Sequence, residues 1–429
     1  MVETLNDKEW KKIFEKYNIL NEINKKGFYE IQAKDIREYR EPRLMCKFDH
    51  KTNLPDIFAK NNLSILPLST KSYIIGDFNI FMDLKYDEKL IPKQMTIPSF
   101  IETVKSTDLY SEAAALHCAY ISGMIDDFLG EKTLFTVSGK MRSKNFNYNI
   151  LSSRGSSRKI EVQGAQIEID GAYEGPSYFM IAEAKKQKVT DFNIRQLYYP
   201  YRVWKDRTNK EIRPVFFTIS NDIFYFFEFK FQDDKTYNSL TLVRQKNYTI
   251  NHEKITQQDI NDIVSRANNF VREPEVPFPQ ADDFGKVHDL LTLLYEEDLS
   301  PNQIAENFDF DRRQADYYFN SCLYLGLANK YRTKEGVFAT LNDEGRKIMQ
   351  LPYRQKRLKL AELILKHRVF KEVYDKIEQD GQVTKEYIVS RMKYHQLYNI
   401  KSEDTFWRRA STIRGWVMWI RNLPNESTL

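Results

Sequence analysis

Cysteine is scarce in this chain. Only Cys46, Cys118 and Cys322 occur, far apart and without CxxC spacing, which excludes a disulfide framework and a structural zinc site. A reducing, cytoplasmic setting is the expectation that follows. Long apolar runs are missing too: none reaches the ~18 residues needed to cross a bilayer, so no membrane partner is expected. The opening "MVETLNDKEWKKIFEKY" is amphipathic and carries acids early, unlike a signal or transit peptide. Internal repeats and low-complexity tracts are absent. So is a large charge imbalance, since 65 Lys and Arg face 60 Asp and Glu for a net +5 over 429 residues. Any nucleic-acid binding would therefore have to come from local basic clusters rather than the whole surface.

What is present is material for more than one core. A chain of 429 residues, 41% apolar and 14% aromatic, exceeds the usual size of about 100 to 200 residues per domain, so two or three domains are expected. The segment "VREPEVPFPQADD" (271–283) holds Pro274, Pro277 and Pro279, which favour an extended linker that neither continues a helix nor pairs centrally in a sheet. Upstream, "SYIIGDFNIFMDL", "SYFMIAEAK", "VFFTISNDIFYFFEFKF" and "SLTLVRQKNYTI" are rich in β-branched and aromatic residues and read as strands. "WKKIFEKYNIL" and "FYEIQAKDIREY" read as two short helices ahead of the sheet. Downstream the chain reads as helical apart from one short hairpin.

The stretch "IEIDGAYEGPSYFMIAEAKKQ" (167–187) sets Asp170, Glu183 and Lys185 in otherwise apolar, strand-like sequence. Side chains alternate across a strand, so Phe179, Ile181, Glu183 and Lys185 share one face, and Glu168 and Asp170 share one on the preceding strand. Gly171, Gly175 and Pro176 supply the return turn. The hairpin can bring Asp170 close to Glu183 and Lys185. Two carboxylates at one spot repel unless a hard cation lies between them, and Mg²⁺ takes one or two carboxylates with water and phosphate oxygens. A lysine beside that ion can position or deprotonate a water and offset phosphate charge. The trio suits phosphodiester hydrolysis. Taken singly, the same residues also suit a solvated strand edge and an Asp-Gly turn. The apolar flanks, the hairpin spacing and the amphipathic helix that follows favour the site.

At these residues the chain resembles the PD-(D/E)XK nuclease superfamily, whose pattern is an Asp at one strand's end followed by Glu-x-Lys on the next. Here that is Asp170, then Glu183-Ala184-Lys185, with Ile169 where proline is usual. In "DFNIRQLYYPYRVW" (191–204), Ile194, Leu197, Tyr198 and Tyr201 form an inward helical face, which leaves Arg195 and Gln196 near the opposite side. Some members carry Gln-x-x-x-Tyr on this helix. Gln196 is followed four residues later by Pro200, with Tyr201 one further on, so the resemblance makes Gln196 a supporting candidate. This region and "EPRLMCKFDHKTNLPDIFAKNNLSILPLSTKSYIIGDF" (41–78) look like bacterial type II restriction endonucleases. The latter stretch reads as structural support, without chemistry of its own.

The resemblance implies Asp170 and Glu183 as metal ligands, the Ala184 carbonyl as a further one, and Lys185 as the group that orients the attacking water, leaving a 5′-phosphate. It also implies an assisting acid on the helix "YSEAAALHCAYISGMIDDFLG" (110–130), with Glu112 as the candidate. A first-turn Glu equally suits the helix dipole, and His117 suits helix packing.

From Lys132 to Ile160 no acidic residue occurs, while Lys132, Lys140, Arg142, Lys144, Arg154, Arg158 and Lys159 are all basic. With its Ser, Asn and Gly this stretch reads as a polar, flexible segment able to contact phosphates and base edges, or as a solvated loop. After the linker, Phe284, Val287, Leu290, Leu291 and Leu294 mark one helix face. Ser300, Pro301 and Gln303 start a second helix as a capping box. Asp311 can start a third, with Ala315, Phe319, Cys322 and Leu323 inward and Arg312, Arg313, Gln314, Tyr317 and Asn320 outward. Two short strands around Lys334-Glu335-Gly336 follow. This order resembles a winged helix, whose third helix enters the major groove; a protein-interaction winged helix has the same order. Over 355–423 a weaker, second winged-helix-like unit is expected, with Trp407, Ile413, Trp416, Val417 and Ile420 as core and Arg408, Arg409, Arg414 and Arg421 outward. Its Arg and Trp content also suits a dimer contact.

The expected architecture is therefore α+β or α/β. A supporting N-terminal segment (1–90) precedes a PD-(D/E)XK, restriction-endonuclease-like mixed sheet core flanked by helices (91–272). A linker (273–283), a winged-helix DNA-binding domain (284–352) and a helical, winged-helix-like domain (353–429) complete the chain. The expected activity is Mg²⁺-dependent, sequence-specific cleavage of double-stranded DNA, as a type II site-specific deoxyribonuclease of a bacterial restriction-modification system. A cognate DNA methyltransferase would be its functional partner. A palindromic target would favour a homodimer, and tandem readers a monomer. The competing expectations are a repair, junction or modification-dependent nuclease, and a non-catalytic winged-helix regulator.

Overall fold

Near-continuous apolar runs mark strands covered on both faces, and the longest of them build one mixed sheet. The structure, a computed structural model, describes residues 4–87, 89–104, 109, 111–250, 255–308, 312–334 and 336–424. The fold is α+β, and the chain divides into two units, the first comprising residues 1–87, 123–218 and 225–246 and the second 88–122, 219–224 and 247–429. Six longer strands of this seven-stranded sheet follow in chain order: β1 (Leu134–Arg142), β2 (Gln166–Glu174), β3 (Tyr178–Lys185), β4 (Glu211–Ser220), β5 (Ile223–Phe231) and β6 (Leu240–Ile250), and the short strand Lys93–Met95 pairs parallel with β6. β1 pairs antiparallel with β2, and β2 with β3. β3 and β4 run parallel, with Ala182 opposite Val215, because helix α1 (Arg195–Lys205) carries the chain back between them. Trp204 of α1 packs on Phe179 with ring centroids 5.0 Å apart. One face of β3 therefore lies under this helix.

Ahead of the sheet, helices Leu5–Lys16 and Ile19–Lys26 pack with a three-stranded antiparallel sheet of Phe28–Gln32, Ser72–Gly76 and Ser64–Pro67. The expected second helix is borne out only in its second part: Phe28, Tyr29 and Ile31 pair with Gly76, Ile75 and Tyr73 in the strand Phe28–Gln32, and Ala33–Arg37 is helical. The basic stretch 132–160 is corrected likewise. Rather than a flexible segment it forms β1 and an antiparallel pair, Phe146–Leu151 with Ser157–Val162. Tyr148, Ile150, Ile160 and Val162 are buried at alternating positions, a period of two that the charge pattern obscured. The helix expected over 110–130 breaks at Gly123, whose φ of +80° is open to glycine, leaving Glu112–Ile121 and Met124–Leu129.

In the second unit the expected helix, helix, helix, hairpin order is present: α2 (Phe284–Glu296), α3 (Pro301–Phe308), α4 (Arg312–Tyr324), β7 (Ala328–Thr333) and β8 (Gly336–Leu341). Phe284, Val287, Leu290, Leu291 and Leu294 are all buried. Ser300 and Gln303 exchange the capping-box hydrogen bonds: Ser300 N–H donates to Gln303 Oε1 at 2.9 Å, and Gln303 N–H to Ser300 Oγ at 3.3 Å. Leu299 pairs with Ala339 of β8 through two backbone hydrogen bonds, an isolated bridge beside the two-stranded hairpin. Asp311 and Glu335 lie outside the described residues.

The proline-rich segment is irregular, as expected, yet it is no free linker. Phe278 stacks on Phe370 and meets Tyr324 edge-on, and the indole of Trp416 donates to the Ala281 carbonyl at 2.7 Å. Helices then continue to α5 (Glu403–Asn422), whose Ala410, Ile413, Trp416, Val417 and Ile420 are buried. Trp407 is a correction: it lies one turn ahead of that buried run and is 38% exposed. Among the described residues no helix is long and apolar enough to cross a membrane.

Candidate active site

The hairpin of β2 and β3 parts where the polar residues begin. The ladder runs from Phe179 opposite Glu174 to Ala182 opposite Gly171. Asp170 is the next residue of β2, and its Oδ2 accepts the Ala184 N–H at 2.8 Å, replacing a backbone partner with a carboxylate. At the turn, Glu131 accepts the N–H groups of Ser177 and Tyr178 at 2.8 to 3.1 Å. Gly175 makes room for it, since a Cβ there would lie 2.2 Å from Glu131 Oε1.

Glu183 is 7% exposed inside this apolar strand. Lys185 Nζ donates to its Oε1 at 2.6 Å and to the Ala184 carbonyl at 3.0 Å. Gln196 Nε2 donates to the same Oε1. The expectation that Gln196 sits on the outer side of the helix is therefore overturned: it is 9% exposed, because the first turn of α1 lies over Glu183 and is covered on more than one side. Burial pushes the Glu183 carboxyl up to about 7; Lys185 draws it back, while Asp170 and Asp49 raise it further.

Asp49 is the residue that sequence reading missed. It belongs to a loop tied to the strand Asp191–Asn193 that leads into α1. Asn193 N–H donates to the Asp49 carbonyl at 2.8 Å, Asn193 Nδ2 donates to the Phe48 carbonyl at 2.9 Å, and Lys51 N–H donates to Asp191 Oδ1 at 3.1 Å. Asp49 Oδ2 lies 3.2 Å from Lys47 Nζ, and Oδ1 lies 4.0 Å from Arg195 Nη2. Burial works to raise its pKa, yet Lys47, Lys185 and Arg195 together hold it below the usual carboxylate value. A local signal was available, an acid between lysines in "CKFDHK", but nothing in it pointed to β3.

The hard-oxygen donors at hand are the carboxylates of Asp170 and Glu183 and the Ala184 carbonyl. Among the described residues no group of three or more His, Cys, Asp or Glu side chains converges as a metal cage. Two carboxylates with a carbonyl fit Mg²⁺, which completes its shell with water and phosphate. Glu183 Oε1 and the Ala184 carbonyl already share one cation, the Lys185 ammonium.

The other candidates lie on other elements. Glu112 opens the helix Glu112–Ile121 of the second unit, and His117 on that helix is exposed. Lys140 lies 3.7 Å from Glu168, and Arg154 3.4 Å from Asp77. Arg158 covers the Phe28 ring at 4.3 Å and donates to the Lys26 carbonyl at 3.0 Å. Arg142 and Lys144 are exposed. On α4, Arg313 and Gln314 are exposed and Tyr317 and Asn320 half-buried, with the Arg313 guanidinium 5.6 Å from the Tyr317 ring. The Arg312 side chain lies outside the described residues. On α5, Arg408 is exposed, whereas Arg409 is half-buried with Nε and Nη1 lacking hydrogen-bond partners.

Three family descriptions match consecutive parts of the chain, and all three are domains of unknown function. Residues 7–75, which include Asp49, match DUF6996. Residues 76–249, which include Asp170, Glu183, Lys185 and Gln196, match DUF6997. Residues 286–425, which include α4 and α5, match DUF7226. No curated protein and no solved structure matches the chain.

Proposed function

We propose that this protein is a Mg²⁺-dependent endonuclease that hydrolyses phosphodiester bonds of double-stranded DNA, as a type II restriction enzyme does. One observation carries the reading: Asp170, Glu183, the Ala184 carbonyl and Lys185 meet at the point where β2 and β3 part. A bare pair of carboxylates in this place would be costly, and a shared divalent cation removes that cost. When bound, such an ion polarises the phosphate and lowers the pKa of a bound water. The protein's own groups do the rest. Asp170 and Glu183 would hold the ion, Gln196 fixes the Glu183 carboxylate, and Lys185 would orient the attacking water and offset charge on the phosphate.

The helical order and the two-stranded hairpin of α2 to β8, with its bridge from Leu299, support a winged helix with α4 as its major-groove helix, where Arg313 and Gln314 suit guanine and adenine edges. Digestion of long DNA of known sequence, unmodified and methylated, with Mg²⁺ or EDTA and with sequencing of the cut ends, tests the reading. Cleavage at a defined sequence with Mg²⁺, lost in Lys185→Ala while DNA binding is kept, is the expected result. Cleavage confined to methylated DNA would assign a modification-dependent enzyme. Binding without any Mg²⁺-dependent cut would leave a DNA-binding regulator.

A further inference from the structure

The face of the sheet that carries Glu183 and Lys185 continues past β3. Residues opposite each other in a parallel pair share a face, so Thr218 of β4, opposite Lys185, and Phe216, opposite Glu183, line the same side as the candidate site. Phe216 stacks on Phe192, of the strand before α1, with ring centroids 4.2 Å apart, as that parity requires. Tyr86 lies on this face. Its hydroxyl is 3.2 Å from Thr218 Oγ1 and accepts the Val189 N–H at 3.1 Å, and its ring meets Tyr225 and Phe227 of β5 edge-on, each with centroids 5.0 Å apart.

The chain leaving β3 is pinned by that hydroxyl, since only Lys186, Gln187 and Lys188 separate the end of the strand from the hydrogen bond at Val189. Lys188 Nζ stands 5.1 Å from the centre of the Tyr86 ring and 5.0 Å from that of Tyr225, within cation–π range of both. The rings locate the ammonium without neutralising it, because an aromatic face attracts a cation through its quadrupole and carries no net charge. Lys185 Nζ stays over β3, on Glu183 and the Ala184 carbonyl, whereas Lys188 Nζ stands over a ring of β5, two places along the sheet. With neighbouring strands ~4.8 Å apart, the two charges are separated by roughly one to two strand spacings, a span that suits successive phosphates of one DNA strand rather than a single phosphate. We propose that Lys188 is a substrate-binding residue that holds the DNA phosphate next to the one cleaved. The inference rests on the nuclease reading. Lys188 then sets the register of the DNA strand on the site, while Lys185 serves the scissile phosphate.

The test is fluorescence anisotropy of a duplex carrying the sequence cut in the digestion above, bound by full-length Lys185→Ala protein with Lys188 intact or changed. Lys188→Met is expected to lower the slope of log K against log salt by about 0.9, the share of one phosphate contact. Lys188→Arg keeps the charge and restores the slope. A neutral methylphosphonate, set in turn at each phosphate flanking the cut, locates the contact. At one of these positions it weakens binding when Lys188 is intact and has almost no effect in Lys188→Met, because the two changes remove the same interaction. An unchanged slope in Lys188→Met, or losses at every neutral phosphate that are equal with and without that change, overturns the inference alone. A wild type that makes no Mg²⁺-dependent cut overturns the nuclease reading and the inference with it.

Discussion

Glu183 is where folding and chemistry oppose each other. Its carboxyl is pushed from an ordinary 4.5 up to about 7 by burial, with Lys185 opposing and Asp170 and Asp49 adding. Below pH 4.5 it is protonated in the folded and unfolded chain alike, and the proton-linked stability is fully present. Between 4.5 and about 7 the unfolded chain releases a proton that the folded chain retains, so stability falls as pH rises, and above 7 the loss is complete. At ~1.4 kcal/mol per pH unit, the loss is on the order of 3 kcal/mol. Glu183→Gln does not titrate. In urea unfolding followed across pH without divalent cations, the variant should gain on the wild type by roughly that amount between pH 4.5 and 8. The attraction of Lys185 acts only on the ionised Glu183 and is already contained in that pKa. A difference that stays flat across this range would mean that Glu183 ionises as an ordinary surface acid.

Elements in the second unit are joined by close backbone approach as well as by side chains. A glycine inside an exposed helix is normally less stable than alanine by about 0.5–1 kcal/mol, so Gly415→Ala on α5 would ordinarily be stabilising. Here a Cβ on Gly415 would lie 2.1 Å from the Asp282 carbonyl oxygen, while the neighbouring Trp416 is hydrogen-bonded to Ala281. The sign is therefore expected to reverse, with a loss of about 1–3 kcal/mol from overpacking, read as a lower unfolding midpoint in denaturant. A neutral or stabilising result would mean that the proline-rich segment does not press on α5. This segment also shows where sequence legibility ends. Its prolines announced a segment that neither continues a helix nor pairs in a sheet, and that held; its contacts with Phe370 and Trp416 depend on residues far along the chain. The β2–β3 hairpin was legible because parity and turn chemistry are local, although Gly171, expected in the return turn, lies in the ladder opposite Ala182. Gln196 was misplaced because a helical wheel assumes one covered face, whereas the first turn of α1 is covered on more than one. Asp49 was invisible for a further reason: the loop bonds that place it, such as Phe48 to Asn193, span 145 positions, and no period encodes them.

For the whole molecule, a net charge of +5 provides no general attraction to DNA, so affinity must be concentrated in particular cations. The basic residues of 132–160 divide on this point. Arg154 is matched with Asp77 and Arg158 is held by Phe28 and Lys26, and moving either onto a phosphate would break a contact already made. Arg142 and Lys144 are exposed and face no such cost, and Arg313 at the start of α4 is exposed with a looser contact, its guanidinium 5.6 Å from the Tyr317 ring. Each phosphate contact releases counterions and contributes about 0.9 to the slope of log K against log salt. In Lys185→Ala protein, expected to bind without cutting, Arg142→Ala, Lys144→Ala and Arg313→Ala should each lower that slope by up to about 0.9. Arg154→Ala and Arg158→Ala should leave it nearly unchanged. Fluorescence anisotropy at 50 to 200 mM salt, roughly the range over which such contacts are exposed, separates the two groups. If the matched arginines carried the slope and the exposed cations did not, the DNA path would run over the face of Arg154 and Arg158, and their intrachain contacts would have to open on binding.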